Sequence, residues 1–272
     1  MSAHNPTEEK LLDMYKRICM GNCSTCQSCH ATIENLSPPV SAWGVGNNFV
    51  NEDKKILFVG RNAHGYFDQP ANGNFHEVFD DGRWLWEREN WLKTWRTAQP
   101  HYWNYTREIT GKIFGDDSFE HIAFTNLVKC NNSLGRDTTT DFVKDNCIKQ
   151  LKVFLEELKI IRPTHLIFYT GWKYDGYILR FFFDTLKIFN DARKKIGAKY
   201  VPWTTGIATI DGLKIRVLIA GHPQNLKKDS YIKAVSSWVT LKNRRLNYGR
   251  KNCSLNVARL GCRRRARRAR RI

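Results

Sequence analysis

Ile56-Leu57-Phe58-Val59-Gly60-Arg61-Asn62-Ala63-His64-Gly65 is the stretch whose reading decides the fold. Four apolar residues run into a glycine, a mostly polar turn and a second glycine. A short continuous apolar run closed by turn residues reads as a strand buried on both faces, as in a parallel sheet. Ligands of open α/β sheets gather at the carboxyl ends of such strands. Asn62 and His64 are therefore expected at the mouth of a pocket. Taken alone, the segment reads more readily as a strand ending in an ordinary glycine turn. Two later strands that end in similar polar clusters tip the reading toward a pocket.

The later apolar runs are His121–Cys130 and Pro163–Gly171, followed by the pair of segments around Asp211-Gly212, within 208–220. Asp-Gly between alternating segments signals a hairpin. Between the strands, amphipathic patterns predict helices over 7–18 (capped by Thr7), 106–114 (closed by Gly115) and 142–158 (capped by Asp141). Two more are predicted, from after Gly171 to about Asn190 and over 229–241. The alternation predicts a three-layer α/β/α sandwich around a central four-stranded parallel sheet. Residues 1–241 form one domain on this reading, and 242–272 a basic tail.

Composition supports a folded body. The chain has 272 residues, 42% of them hydrophobic and nine of them tryptophan, which argues against disorder. No apolar run approaches the roughly 18 residues needed to span a bilayer. The polar start, Met1 to Lys10, lacks a signal peptide's apolar segment. A soluble, cytoplasmic, nucleoid-associated protein with no membrane partner is expected. Of the net charge of +18, thirteen units lie in residues 242–272, which hold no acidic residue, leaving +5 for the body. Both parts would be drawn to a polyanion. The low-complexity tail, with its run Arg263-Arg264-Arg265-Ala266-Arg267-Arg268-Ala269-Arg270-Arg271, is expected to be disordered. It reads either as a nucleic-acid tether or as sequence with no role in chemistry.

Eight cysteines in an intracellular chain point to metal or redox chemistry rather than disulfides. Cys23, Cys26 and Cys29 form two overlapping Cys-x-x-Cys pairs, a spacing that lets two thiolates reach one metal. Cys130 and Cys147 follow much later. Structural zinc and an iron–sulfur cluster both fit these donors. Cys253 and Cys262 fall in the tail and are assigned nothing.

Three strand ends carry Asn62, Asn126 and His222-Pro223-Gln224-Asn225-Leu226. With Phe75 they would supply an aromatic plate, two carboxamides and an imidazole. A planar heterocycle is gripped by such groups: stacking on its face, hydrogen bonds on its edge, a donor to a developing oxyanion. In type and order these motifs resemble the uracil-DNA glycosylase superfamily, and most nearly its iron–sulfur members. Gly60-Arg61-Asn62-Ala63-His64-Gly65 is similar to the water-activating motif. Thr125-Asn126-Leu127-Val128-Lys129-Cys130 is similar to the Thr-Asn-x-Val-Lys-Cys strand of the iron–sulfur members. His222-Pro223-Gln224-Asn225-Leu226 resembles the second catalytic motif, His-Pro-Ser-x-Leu.

The resemblance implies a monofunctional glycosylase that hydrolyses the N-glycosidic bond of uracil or a related deaminated base in single- or double-stranded DNA, acting as a monomer. On that reading Asn62 and His222 are catalytic: Asn62 positions the water and His222 donates to the base oxygen. Gly60, Phe75 and Asn126 bind the base. Leu226 wedges into the duplex, beside Lys227 and Lys228 on the DNA. A cluster of the 4Fe–4S type would take two of Cys23, Cys26 and Cys29 together with Cys130 and Cys147, with zinc as the alternative. Ala63 and Gln224 depart from the family's proline and serine. They raise a second reading, a glycosylase-fold nucleic-acid-binding protein with weak or no hydrolysis.

Overall fold

The computed structural model describes residues 4–62, 75–87, 101–132, 139–171, 173–223 and 226–241. The chain divides into two units, Met1–Thr240 and Leu241–Ile272. The tail, His64, Gln224 and Asn225 lie outside the described residues. Among the described residues no helix is long and apolar enough to cross a membrane.

Seven strands form one mixed sheet: β1 (Gly44–Val45), β2 (Ile56–Asn62), β3 (Ile122–Val128), β4 (His165–Phe168), β5 (Thr185–Ile196), β6 (Lys199–Ile210) and β7 (Leu213–Ala220), in the order β1-β3-β2-β4-β7-β6-β5. β3, β2, β4 and β7 pair in parallel, whereas β1, β6 and β5 are antiparallel additions at the two edges. The sheet is therefore larger and more mixed than a four-stranded parallel one. The chain leaves β2 toward β3, then crosses back to β4 on β2's other side. In open α/β sheets ligands gather at such a reversal, at the carboxyl ends of the central strands.

Side chains alternate between the two faces of the sheet. Leu57, Val59, Leu166, Phe168, Val217 and Ile219 pack into one apolar layer. Phe58, Phe124, Ile167, Tyr169, Leu218 and Ala220 pack into the other. The first layer is covered by α1 (Pro6–Arg17), α6 (Val153–Ile161) and α7 (Asp175–Phe181). The second is covered by α3 (Phe79–Glu87), α4 (His101–Phe114) and α8 (Lys228–Thr240). Two short helices, α2 (Ser24–Thr32) and α5 (Asp141–Asp145), complete the eight among the described residues.

Several local expectations are corrected. Asn5, not Thr7, caps α1, accepting from the Thr7 and Glu8 N–H groups in a capping box with Glu8. Thr140, not Asp141, caps α5. The single helix expected over 142–158 breaks into α5, a π-helical turn at Asn146–Gln150, and α6. Lys152, at a left-handed φ of 55°, separates the last two. The helix expected to run to about Asn190 stops at Phe181, and β5 replaces its second half. Leu186 and Ile188 there alternate with exposed neighbours, and β5 pairs with β6 almost to its tip. The Asp211-Gly212 hairpin forms as read: both residues have positive φ, 45° and 75°, as a tight β6–β7 turn requires.

The amino-terminal edge of the sheet is closed by a buried histidine. His165 Nε2 lies 3.2 Å from Arg216 Nη1, and its ring meets Trp238 edge-on at 5.8 Å. Burial, and then the Arg216 guanidinium, push its pKa down to about 4. His165 is thus neutral in the fold, while the unfolded chain binds a proton below its ordinary value of about 6.5. This contribution to stability is whole above pH 6.5, falls as pH drops below 6.5 and is fully lost by about pH 4. Between pH 7.5 and 4.5 the wild type should lose about 2 kcal/mol more stability than His165→Gln, read from denaturant midpoints at both pH values.

Candidate functional site

The register of the parallel strands fixes where the polar residues stand. Val59 pairs with both Thr125 and Phe168, and Phe168 with Ile219, so these four form one row across β3, β2, β4 and β7. One residue further along, Gly60 is paired with Asn126. Asn62 and His222 each stand two residues beyond their strand's member of that second row. All three predicted polar groups thus sit at the carboxyl edge of the parallel strands. Asn62 and Asn126 are each only 5% exposed.

Gly60 is where backbone and side chains come closest. A Cβ there would overlap both Asn126 Oδ1 and the Tyr102 hydroxyl. Glycine is required so that the Asn126 carboxamide and a phenol can lie against the β2 backbone. Tyr102, in the first turn of α4, packs edge-on against Phe124 at 4.7 Å and Tyr169 at 5.3 Å. Its ring lies almost parallel to that of His222, at 19° and 6.3 Å between centroids. Gly60, Asn126, Tyr102 and His222 therefore form one chain of contacts. The Asn126 carboxamide makes no hydrogen bond to another described residue, so its donor and its acceptor are both available to a guest.

The His222 loop is held from two helices. The Tyr231 hydroxyl of α8 donates to the Gly221 carbonyl at 2.9 Å, and the Tyr105 hydroxyl of α4 donates to the Leu226 carbonyl at 2.9 Å. Leu226 is half-buried against the apolar layer beneath. Lys227 is exposed. Lys228 forms an ion pair with Glu108 of α4, which satisfies locally a charge expected to face DNA.

Phe75 lies elsewhere. It is half-buried against Tyr15, with ring centroids 5.0 Å apart, in the apolar layer on the opposite sheet face from Asn126. The aromatic ring that the described residues place beside Asn126 and His222 is Tyr102. The sequence did not single it out, because it is one of eleven aromatic residues between Tyr66 and Tyr105 and no local spacing distinguishes it.

A second centre lies on the face away from Asn126. Cys26, Cys29, Cys130 and Cys147 line one cavity together with Met20, His30 and Lys129. Cys26 and Cys29 share a side of α2, three residues apart. Cys147 is brought in by the π-helical turn, a distortion often found at functional sites. Asn146 Nδ2 donates to Cys29 Sγ at 3.0 Å. Cys23 caps α2 beside Cys26 but is not among the residues lining the cavity. Burial pushes the Cys26 thiol up to about 12 and Cys147 up to about 11, with neighbouring cysteines adding repulsion. Cys130 is raised well above the ordinary thiol value for the same reasons. Thiols so placed resist ionisation unless a cation neutralises them, and a soft metal does this. No three His, Cys, Asp or Glu side chains among the described residues already stand as a ready-made site for one ion.

On the same face as the cysteine cavity lies a buried ion pair. Lys129 Nζ lies 2.6 Å from Glu157 Oε1 and donates to Thr125 Oγ1 at 2.6 Å. Thr125 donates to Glu157 Oε2 at 2.9 Å, and the Tyr15 hydroxyl donates to Oε1. Tyr15 in turn accepts from the Ala42 N–H at 2.9 Å. Lys129 and Glu157 are 1% and 0% exposed. Removing one partner strands the other in a medium that cannot hydrate it. Glu157→Ala should therefore cost about 3–5 kcal/mol, and Lys129→Met with Glu157→Leu should recover much of that loss, measured by denaturant unfolding.

Comparison of the chain with protein-family models and with curated proteins gave no match to either.

Proposed function

We propose that the chain is a DNA glycosylase that removes uracil or a related deaminated base. The observation that carries this reading is the contact chain Gly60–Asn126–Tyr102–His222 at the switch-point edge of the sheet. It offers an edge-reading carboxamide, an aromatic face and an imidazole donor within reach of one flat guest.

The reaction breaks the bond between the sugar C1′ and the base nitrogen, and the bonding electron pair leaves with the base. Negative charge therefore grows on the base oxygens while the sugar becomes cation-like. Asn126 hydrogen-bonds the base edge and selects it. His222 donates to the oxygen on which charge accumulates, a contact stronger in the transition state than in the ground state. Asn62 positions the water that attacks C1′ and, being neutral, adds no charge to stabilise the cation. With Phe75 on the other face, Tyr102 supplies the stacking surface. His222→Ala should lower base release from uracil-containing oligonucleotides by about 10²–10³-fold. Asn62→Asp should raise it at least tenfold; an equal or lower rate would remove the water-positioning role.

The four cavity cysteines fit a thiolate-bound cluster. Cys26, Cys29, Cys130 and Cys147 would hold it, and bound there it would supply a structural clamp joining α2, β3 and the π-helical turn, with no part in the hydrolysis. Wild-type protein should contain iron and sulfide and absorb visible light. Cys130→Ser should lose both, and Cys23→Ser should keep them. Colourless protein containing zinc would favour a zinc site held by the same residues.

A second reading, a nucleic-acid-binding protein without hydrolysis, is favoured by one observation: the Tyr102 ring already occupies the space between Asn126 and His222. Base release from wild-type protein would exclude it.

A further inference from the structure

We propose that the β5–β6 ribbon is a DNA-binding arm whose tip grips backbone phosphates beside the candidate pocket. Its position comes from the strand register. β6 pairs Trp203 with Ala220, the last residue of β7, yet β6 begins four residues earlier at Lys199. At about 3.3 Å per residue, the ribbon runs about 13 Å past the end of β7 and about 7 Å past the row of Asn62 and Val128, where β2 and β3 end. Its turn lies against the loop that carries His222 and Leu226: a Cβ on Gly197 would sit 2.7 Å from Lys227 Cβ.

The ribbon's chemistry suits a polyanion. Residues 185–210 hold five cations, Lys187, Arg193, Lys194, Lys195 and Lys199, and one acid, Asp191, which accepts from Thr204. Four of the five cations lie within 193–199, next to the turn. Opposite Lys195 on the same face stands Tyr200, 61% exposed, a ring able to pack against sugar or base. Lysines on an edge strand also guard against sheet-to-sheet aggregation. That role would be met by charges spread along β5, whereas here they gather at the end that overhangs the site. Lys227 stands beside the turn at Gly197, so the tip and this loop gather cations that can bind phosphates with release of counterions.

The proposal leans on the glycosylase reading only for what the arm delivers, a strand passing over the pocket. Its test is independent of base release. The full chain is titrated with an undamaged DNA duplex of about 20 base pairs at several salt concentrations. Lys195→Glu with Lys199→Glu should weaken binding at least tenfold at low salt, and make the log–log salt slope shallower by about two. The charge-matched control Lys112→Glu with Lys214→Glu alters exposed residues toward the opposite edge and should keep wild-type affinity. Unchanged affinity and slope in the ribbon variant would overturn the proposal, and so would equal weakening by the control. If wild-type protein binds through the ribbon but releases no base, the arm stands and the glycosylase reading falls.

Discussion

The absence of a side chain at Gly60 is the constraint on which the candidate site depends. Gly60 and Asn126 are paired across two parallel strands, so their Cα atoms share a row and their side-chain directions share a face. Any Cβ on Gly60 would displace the Asn126 carboxamide and the Tyr102 hydroxyl together. Shifting the register by one residue would turn Asn126 into the opposite layer and bring Thr125 to the pocket. One glycine and one register thus decide whether a hydrogen-bonding edge exists at the mouth of the sheet at all.

The dipeptide Thr125-Asn126 shows how one strand serves two centres. Alternation sends Asn126 toward Tyr102 and His222, while Thr125 joins Glu157 and Lys129 on the other face. Lys129 also lines the cysteine cavity, and Cys130 follows it directly. The buried Lys129–Glu157 pair pins this strand at the same place. Its net contribution to stability need not be large for it to fix one arrangement of β3 over its neighbours.

How far the sequence could be read depended on whether the deciding information was local. The parallel strands were legible because an apolar run ending in glycine or a polar cluster has few other uses, as at Ile56–Gly60 and Ile122–Asn126. The Asp211-Gly212 turn was legible because its positive φ angles select those residues. The second half of the helix expected after Gly171 was not. Phe181, Phe182 and Phe183 continue a helical pattern, and only pairing with β6, residues away in sequence, makes Leu186 and Ile188 strand positions. The π-helical turn at Cys147 was hidden for a related reason: its extra residue is set by packing against α2, and no local pattern reports it. At the site, Asn62, Asn126 and His222 were readable from strand ends. Which aromatic ring lies beside them was not, because Phe75 and Tyr102 look alike until the chain decides which sheet face each one covers.

That difference in face bears on what kind of pocket this is. An aromatic ring delivered by a loop can move with that loop, but Tyr102 belongs to α4, packed edge-on against Phe124 and Tyr169. The same helix carries Tyr105, whose hydroxyl holds the loop bearing His222 and Leu226, and Glu108, which pairs with Lys228 at the start of α8. One helix therefore positions the Tyr102 ring, the loop bearing His222 and the base of the neighbouring helix. Shifting α4 would undo the Tyr105 and Glu108 contacts together, so the Tyr102 ring is anchored beside both Asn126 and His222.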